Sequence, residues 1–317
     1  MKSDVAVVIP TRNRPQWVVR AATSALAQTL KVSEVIVVVD GPDDRTVSAL
    51  TQLDDPRLRI IVLPESRGSN NARNQGAAQA SSEWIAFLDD DDEWLPQKTE
   101  TQLALAHSAD ILCCRFFSKS SHGTMIWPKR LPEAQEKIGD YLFSRRSIFN
   151  GEAAIITSTL VVRKTIFDQM PFSTALRRHQ DSDWVIRATE HGARFVYSPE
   201  PLAQFNDDTG RTRISTSYDW RQSLHWIRSV RRYLGPHAFA GFVLTSVGSA
   251  AADKREWCAF PLLLRAAIAE GRPTMLHLVL YIGMWLFPQR LRQRVRSLIT
   301  RQTQRNSMLV VRQESHA

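Results

Sequence analysis

Short apolar runs alternate with helical patterns along the first hundred residues. Four runs have the length and composition of buried strands, at residues 5–9, 34–39, 58–63 and 84–88. Apolar residues recur at helical spacing over residues 17–27, and further helices are predicted over residues 46–53, 70–80 and 97–107. This alternation is typical of a parallel sheet with right-handed crossovers. We therefore expect an α/β fold with a mainly parallel sheet flanked by helices.

The alternation is less regular after residue 110. Apolar runs predict further strands at residues 111–117, 155–162, 194–197 and 202–205. An irregular hairpin is expected at residues 125–128 and a helix at residues 181–191. Helical patterns then dominate, at residues 218–234, 237–251, 257–269, 275–287 and 289–299. The pattern predicts a mixed sheet followed by a helical C-terminal extension.

Charge is distributed unevenly along the 317 residues. The chain is 43% hydrophobic and 23% charged, a composition that allows a sizeable core. Residues 211–317 contain 17 Lys and Arg against 5 Asp and Glu, a balance of +12, whereas residues 1–210 have a balance of −3. We therefore expect one α/β domain over residues 1–210 and a basic helical region over residues 211–317.

The cysteines and the N-terminus indicate a cellular compartment. Cys113, Cys114 and Cys258 show no paired spacing, which predicts a reduced environment without disulfides. The first strand pattern begins by Val5, with no charged-then-apolar leader before it. We expect a cytoplasmic protein. No nucleic-acid-binding motif accompanies the basic residues, so no nucleic-acid partner is expected.

Five consecutive acids follow the fourth strand pattern, Asp89 to Asp92 and then Glu93. Carboxylates this close repel one another unless a cation or a donor-rich ligand lies nearby. A solvated acidic loop is the alternative. The strand before the acids places them at the carboxyl end of a sheet strand, where ligands bind in open α/β sheets. Together with the Trp-Leu-Pro that follows, this favours a site for a metal and a phosphate.

Five segments together resemble the family 2 glycosyltransferases, which have the nucleotide-sugar-binding GT-A fold. They are VIPTRNR at 8–14, VVVDG at 37–41, NARNQG at 71–76, FLDDDDEW at 87–94 and QDSDW at 180–184. The resemblance implies a nucleotide-sugar-binding half, residues 1–117, and an acceptor-side half, residues 118–210. The donor-binding residues that it implies are Pro10, Thr11, Arg12, Asp40, Arg73, Asp89 and Asp90.

The same resemblance assigns the metal ligand and the catalytic base. Asp91 aligns as the ligand of Mg²⁺ or Mn²⁺, with Asp89 supporting it, and the cation would neutralise the donor diphosphate. Asp181 aligns as the base that deprotonates the acceptor hydroxyl, with Asp183 as the fallback. Gln180 stands where the family has Glu.

The implied activity is a metal-dependent, inverting transfer of a single sugar. The donor would be a nucleoside-diphosphate sugar, and the acceptor a hydroxyl of a glycan or of a lipid-linked glycan, as in cell-surface polysaccharide synthesis. The Gln-x-x-Arg-Trp signature of processive synthases is missing, since residues 222–226 read QSLHW. Two alternatives stay open: a nucleotide-sugar-binding protein without catalysis, and a nucleotidyltransferase. A dehydrogenase is disfavoured because no Gly-rich turn follows the first strand.

The C-terminal region has two interpretations. Residues 273–288 are apolar but shorter than the roughly 20 residues that span a bilayer. Arg290, Arg292, Arg294 and Arg296 follow at once. This pattern predicts either a peripheral contact with the anionic inner face of a membrane, or helices packed on the catalytic domain.

Overall fold

The computed structural model describes residues 4–120, 123–148, 152–207 and 219–287. These residues form two units. The first contains residues 4–143, 152–207 and 230–234 within those ranges, and the second contains residues 144–148, 219–229 and 235–287. The predicted domain boundary after residue 210, the arginines from Arg290 onward and the predicted helix at 289–299 lie outside the described residues.

Four parallel strands form one half of the sheet in the first unit. They are β1 (Val5–Thr11), β2 (Glu34–Val39), β3 (Leu58–Val62) and β4 (Trp84–Phe87), in the order β3-β2-β1-β4. The helices that follow the first three strands are α1 (Pro15–Leu26), α2 (Asp44–Thr51) and α3 (Ser69–Gln79). Every residue of β1, β2 and β4 is buried, as their unbroken apolar sequences require in a sheet covered on both faces. The predicted alternation is confirmed.

The second half of the sheet is mixed. Its elements are β5 (Glu93–Trp94), α4 (Lys98–Leu103), β6 (Ile111–Ser120), β7 (Gly123–Trp127), α5 (Ile138–Phe143), β8 (Val161–Arg163), α6 (Lys164–Gln169), α7 (Gln180–Glu190) and β9 (Phe195–Asp207). The sheet continues from β4 in the order β8-β6-β9-β5, and β7 pairs with β6. Because β8 runs antiparallel to β4 and to β6, the predicted mixed, mainly parallel sheet is confirmed.

The first strand is longer than predicted and passes through Pro10. Its pairing with β4 ends at Val8, opposite Phe87, whereas its pairing with β2 continues to Thr11. Pro10 therefore lies beyond the last residue of β1 that pairs with β4. Because no strand pairs with β1 on the β4 side at this position, the sheet loses no hydrogen bond through the missing N–H of Pro10. The strand carries Thr11 to the sheet edge.

Two other strand predictions were wrong. The strands expected at 194–197 and 202–205 form one strand, β9, because a shift in register beside Arg115 of β6 accommodates the intervening prolines. The strand expected at 155–162 is replaced by a 3₁₀ turn, Thr157–Thr159, before β8. Thr159 Oγ1 donates to the carbonyl of Ile156 at 2.7 Å, a local bond that competes with sheet pairing.

Helix α3 approaches the sheet closely at Gly76. A Cβ at this position would lie 2.6 Å from a methyl group of Val8 and 2.9 Å from one of Val38. The glycine therefore allows α3 to lie directly on β1 and β2. This packing fixes the height of the α3 side chains over the carboxyl edge of the sheet.

The second unit is helical in its described part. Its helices are α8 (Trp220–Ser229), α9 (Pro236–Gly241), α10 (Gly248–Asp253), α11 (Ala259–Ala269) and α12 (Met275–Leu286), and a π-helical segment, Phe242–Val247, joins α9 to α10. Only the first part of the helix predicted at 218–234 belongs to this unit, because residues 230–234 belong to the other unit. Among the residues that the structure describes, no helix is long and apolar enough to cross a membrane.

Candidate functional site

Three strand ends bring predicted donor-binding residues to one edge of the sheet. Thr11 ends β1, Asp40 follows β2, and Asp89 lies two residues after β4. The backbone N–H of Asp40 donates to the carbonyl of Thr11 at 2.9 Å, which joins the ends of β1 and β2. The carboxyl edge of the parallel strands therefore carries the candidate site, as the sequence predicted.

The four aspartates alternate between buried and open positions. Asp90 and Asp92 are buried, at 7% and 2% exposure. The side chains of Asp89 and Asp91 are 32% and 23% exposed. The carboxylates of Asp89 and Asp91 are therefore accessible to a ligand, whereas those of Asp90 and Asp92 hold the acid run in place through contacts inside the protein.

Asp90 is held by the loop after β1. Thr11 Oγ1 donates to its carboxylate at 2.8 Å, and Arg14 Nη1 donates at 2.9 Å. Arg14 also lies 3.4 Å from a carboxylate oxygen of Asp91. Burial raises the pKa of Asp90 to about 6 against the opposing effect of Arg14. In this structure Asp90 positions Thr11 and Arg14, and its direct contact with a donor stays a prediction.

Asp92 is anchored from the opposite side by Ser158 and Asn206. Ser158 Oγ donates to the Asp92 carboxylate and accepts the backbone N–H of Asp89 at 3.1 Å. The Asn206 side chain donates to the Asp91 carbonyl at 2.8 Å. Burial, reinforced by the charges of Asp89 and Asp91, raises the pKa of Asp92 well above its usual value. These contacts fix the loop that presents Asp89 and Asp91.

Arg73 lies beneath Asp89 with 3% of its side chain exposed. Its Nη2 donates to the Asp89 carboxylate, and its Nη1 donates to Asn70 Oδ1 at 3.0 Å. Asn70 in turn donates to the carbonyls of Ser173 and Leu176, in the segment that leads to α7. Arg73 therefore links the acid run to that segment, and its predicted contact with the donor pyrophosphate stays a prediction.

Asp181 lies in the first turn of α7, beside the acid run. The Asp181 side chain is partly exposed to solvent, but the surrounding protein atoms desolvate its carboxylate. Burial, reinforced by the charge of Asp89, raises the pKa of Asp181 to about 6, against the hydrogen bond from the Ser182 N–H and the charge of Arg73. The fallback residue, Asp183, is buried and paired with Arg187 at 2.8 Å. Of the two acids, Asp181 has the environment of a base.

The start of α7 shows two further features of a functional site. His179, immediately before the helix, adopts a left-handed conformation with φ of 64°, which is rare for a residue other than glycine. The Gln180 amide oxygen is buried without a hydrogen-bond partner among the described residues. Gln180 stands at the position where the sequence resemblance implies a Glu.

Asp40 and Arg12 meet through Ser66. The Asp40 carboxylate accepts from Ser66 Oγ at 2.7 Å and from the backbone N–H groups of Arg67 and Gly68 at 2.8 and 2.9 Å. Arg12, which is exposed, donates to Ser66 Oγ at 2.8 Å. Asp40 therefore holds the loop before α3, and its predicted contact with a nucleoside stays a prediction.

Asp89 and Asp91 are the members of the acid run whose partly exposed carboxylates could hold a divalent cation. In the described part of the chain, no three His, Cys, Asp or Glu side chains form a group that could hold a metal by themselves. Mg²⁺ commonly binds through one or two carboxylates and completes its shell with substrate phosphates and water. The chemistry of Asp89 and Asp91, two hard oxygen donors, fits that mode.

Sequence reasoning did not assign roles to Arg14, Ser158 or Asn206. A role for Arg14 could have been predicted, because this residue lies in the polar loop that ends the first motif, residues 8–14. Ser158 and Asn206 lie 66 and 114 residues from Asp92 along the chain. Nothing in their local sequence distinguishes them, because only the sheet order brings them to the acid run.

Comparisons with known proteins agree with this geometry. The model of the family described as "Glycosyl transferase family 2" matches residues 6–170. The amylovoran biosynthesis glycosyltransferase AmsB of Erwinia amylovora is 26% identical over 241 residues, which are 72% of this chain and 78% of that protein.

Two further proteins extend the comparison. The UDP-Glc:α-D-GlcNAc-diphosphoundecaprenol β-1,3-glucosyltransferase WfgD of Escherichia coli is 31% identical over 101 residues, or 32% of this chain and 40% of that protein. The mannosyltransferase PcManGT of Pyrobaculum calidifontis, solved with GDP-Man and Mn²⁺, superposes with a TM-score of 0.57 and 16% identity. The match covers 94% of this chain and 85% of that one, and it shows a shared fold.

Proposed function

The chain belongs to glycosyltransferase family 2, and on that premise we propose that it is a metal-dependent, inverting enzyme. It transfers a single sugar from a nucleoside-diphosphate sugar to a hydroxyl of a glycan or of a lipid-linked glycan. The observation that carries this proposal is that Asp181 lies close enough to the Asp89–Arg73 pair for both charges to act on its carboxylate, at the edge where Asp91 is also partly exposed. A base for the acceptor and carboxylates for a cation thus lie in one site.

The donor side of the proposal rests on the carboxyl edge of the sheet. Thr11, Arg12 and Asp40 surround the ends of β1 and β2, where the nucleoside would lie. WfgD is named for a UDP-sugar donor, and PcManGT was solved with a GDP-sugar. Both names support a nucleoside-diphosphate sugar as the donor.

Asp91, supported by Asp89, would hold Mg²⁺ or Mn²⁺. When bound, the cation neutralises the diphosphate that leaves with the nucleoside. Mn²⁺ in the PcManGT structure supports this assignment. Arg73 keeps Asp89 in place from below, and Arg14 contributes a positive charge beside Asp90 and Asp91.

Asp181 carries the proton transfer. With its pKa near 6, the carboxylate is mostly ionised at neutral pH and is a stronger base than an ordinary aspartate. It accepts the proton of the acceptor hydroxyl while that oxygen forms a bond to the anomeric carbon. The bond from the anomeric carbon to the diphosphate breaks on the opposite face, and the nucleoside diphosphate departs. The sugar therefore inverts its anomeric configuration.

The names of two relatives support the acceptor side of the proposal. AmsB is named for the biosynthesis of a polysaccharide, and WfgD for an undecaprenol-linked sugar. We therefore propose a growing surface glycan as the acceptor, elongated at the cytoplasmic side of a membrane.

The test is a screen of nucleotide sugars with purified protein and Mn²⁺. We expect one donor to release free nucleoside diphosphate, with release stopped by a chelator and restored by added Mn²⁺. Pyrophosphate as the product would identify a nucleotidyltransferase instead. Donor binding without any turnover, in the presence of glycan acceptors, would support a binding protein.

A further inference from the structure

The outer face of α12 is apolar where a surface helix should be polar. Met275, Val279, Ile282 and Leu286 recur at helical spacing and are 74%, 61%, 47% and 67% exposed. The helix contains no charged residue. A helix on the surface of a water-soluble protein normally presents its polar residues outward.

The polar groups of α12 face inward instead. His277 and Tyr281 are buried, and Tyr281 donates to the carbonyl of Phe260 in α11 at 2.8 Å. The ring of Tyr281 stacks on Phe260, with 5.0 Å between the centroids. These contacts fix the rotation of α12, so its apolar face is presented outward by the packing of the unit itself.

Helix α11 also exposes apolar residues, with an arginine among them. Leu262 and Ile268 are 48% and 59% exposed, and Arg265 lies between them along the exposed side of the helix. Leu262 and Arg265 line an open groove of about 500 Å³ together with Arg228 and Glu270, which form an ion pair with each other. Arg272, also exposed, lies three residues before α12 begins.

We infer that this surface, formed by the outer face of α12 with Leu262, Ile268, Arg265 and Arg272, docks on an anionic lipid bilayer. The helix would lie in the plane of the interface, because 12 residues extend only about 18 Å, far less than the apolar core of a bilayer. Its side chains enter the acyl boundary, and the arginines meet headgroup phosphates.

Charge favours lipid over a second copy of the chain. A second copy docked through the same face would bring its own Arg265 and Arg272 to the contact, whereas anionic headgroups complement them. The residues of this surface belong to the helical unit, and none of them lies in the candidate catalytic site. The inference therefore holds or fails independently of the proposed reaction.

The test is sedimentation of the full chain with vesicles of phosphatidylcholine and phosphatidylglycerol. We expect binding that weakens when phosphatidylglycerol is omitted. Val279→Asn with Ile282→Asn should weaken binding by about a hundredfold, since each removed apolar contact contributes about tenfold or more. Arg265→Gln should cost about fivefold, and only with the anionic vesicles.

The matched control is Ile126→Asn, which makes the same change at a residue of the first unit that is 45% exposed. It should bind vesicles like the wild type.

Absence of wild-type binding, or equal loss in the control, would overturn the proposal. So would a wild-type dimer that becomes a monomer in the double variant, because the face would then be covered by a second copy. Vesicle binding that depends on residues 288–317 and ignores Val279 would overturn it as well. Asp181→Asn should bind vesicles normally, which separates this test from the catalytic one.

Discussion

Replacement of Asp181 by Asn is the sharpest perturbation of the proposed mechanism. Asn keeps the size of the side chain and the start of α7 but cannot accept the proton of the acceptor hydroxyl. Loss of a general base typically costs about 10²- to 10⁴-fold in turnover. Because Asp91 and Asp89 are untouched, we expect kcat to fall by that factor while the KM for the donor changes little.

The pH dependence of the wild-type enzyme adds a second readout. A rise in pKa from 3.8 to about 6 corresponds to about 3 kcal/mol of preference for the protonated form in the folded protein. The base works only when ionised, so kcat should be constant above about pH 7 and fall about tenfold for each pH unit below about 6. Asp90, a predicted donor-binding residue, also has a pKa of about 6. Because its protonation would affect donor binding, kcat must be measured at saturating donor.

The assay is release of nucleoside diphosphate at saturating donor and acceptor, followed across pH 5 to 8 at constant ionic strength. Asp183→Asn is the matched control, since it changes the same residue type two positions away, where the carboxylate pairs with Arg187. It should retain turnover within about tenfold once folding is verified by circular dichroism. If Asp181→Asn kept that much activity and Asp183→Asn lost it, the base would be misassigned.

Three further changes test other parts of the account. Asp91→Asn should raise the Mn²⁺ concentration for half-maximal activity by roughly tenfold or more, since even outer-sphere losses cost that much; a metal titration measures it, and an unchanged curve would remove Asp91 as a ligand. Ser158→Ala leaves the buried Asp92 without its hydroxyl donor and should lower the free energy of unfolding by about 1–3 kcal/mol in urea titrations. Gly76→Ala places a Cβ 2.6 Å from Val8 and should cost about 1–3 kcal/mol, seen as a lower melting temperature. A stability equal to that of the wild type in either variant would contradict the packing described.

The parallel half of the fold could be predicted because its strands are buried on both faces. Unbroken apolar runs such as Val5 to Ile9 are required there, and polar loops between them mark the crossovers. The mixed half of the sheet was harder to predict from the sequence. Pro199 and Pro201 lie between the two strands expected at residues 194–197 and 202–205, and the register shift opposite Arg115 shows how one strand, β9, accommodates them.

The candidate site divides in the same way. Residues at strand ends, such as Thr11, Asp40 and Asp89, were predictable because parallel strands bring their carboxyl ends to one edge. The sequence did not predict that Asp90 is buried whereas Asp91 is partly exposed. This difference depends on Thr11, on Arg14 and on distant partners from the mixed half of the sheet. Such contacts arise from sheet order, which local sequence does not encode.

The central claim is that one site both activates a diphosphate leaving group and deprotonates the attacking hydroxyl. The most direct test is NMR of the product formed with the donor identified by the screen, recorded as it forms in the presence of Mn²⁺. We expect a glycosidic bond with the anomeric configuration opposite to that of the donor, and no product from Asp181→Asn on the same timescale. A product with the donor's configuration, or equal product from the variant, would contradict it.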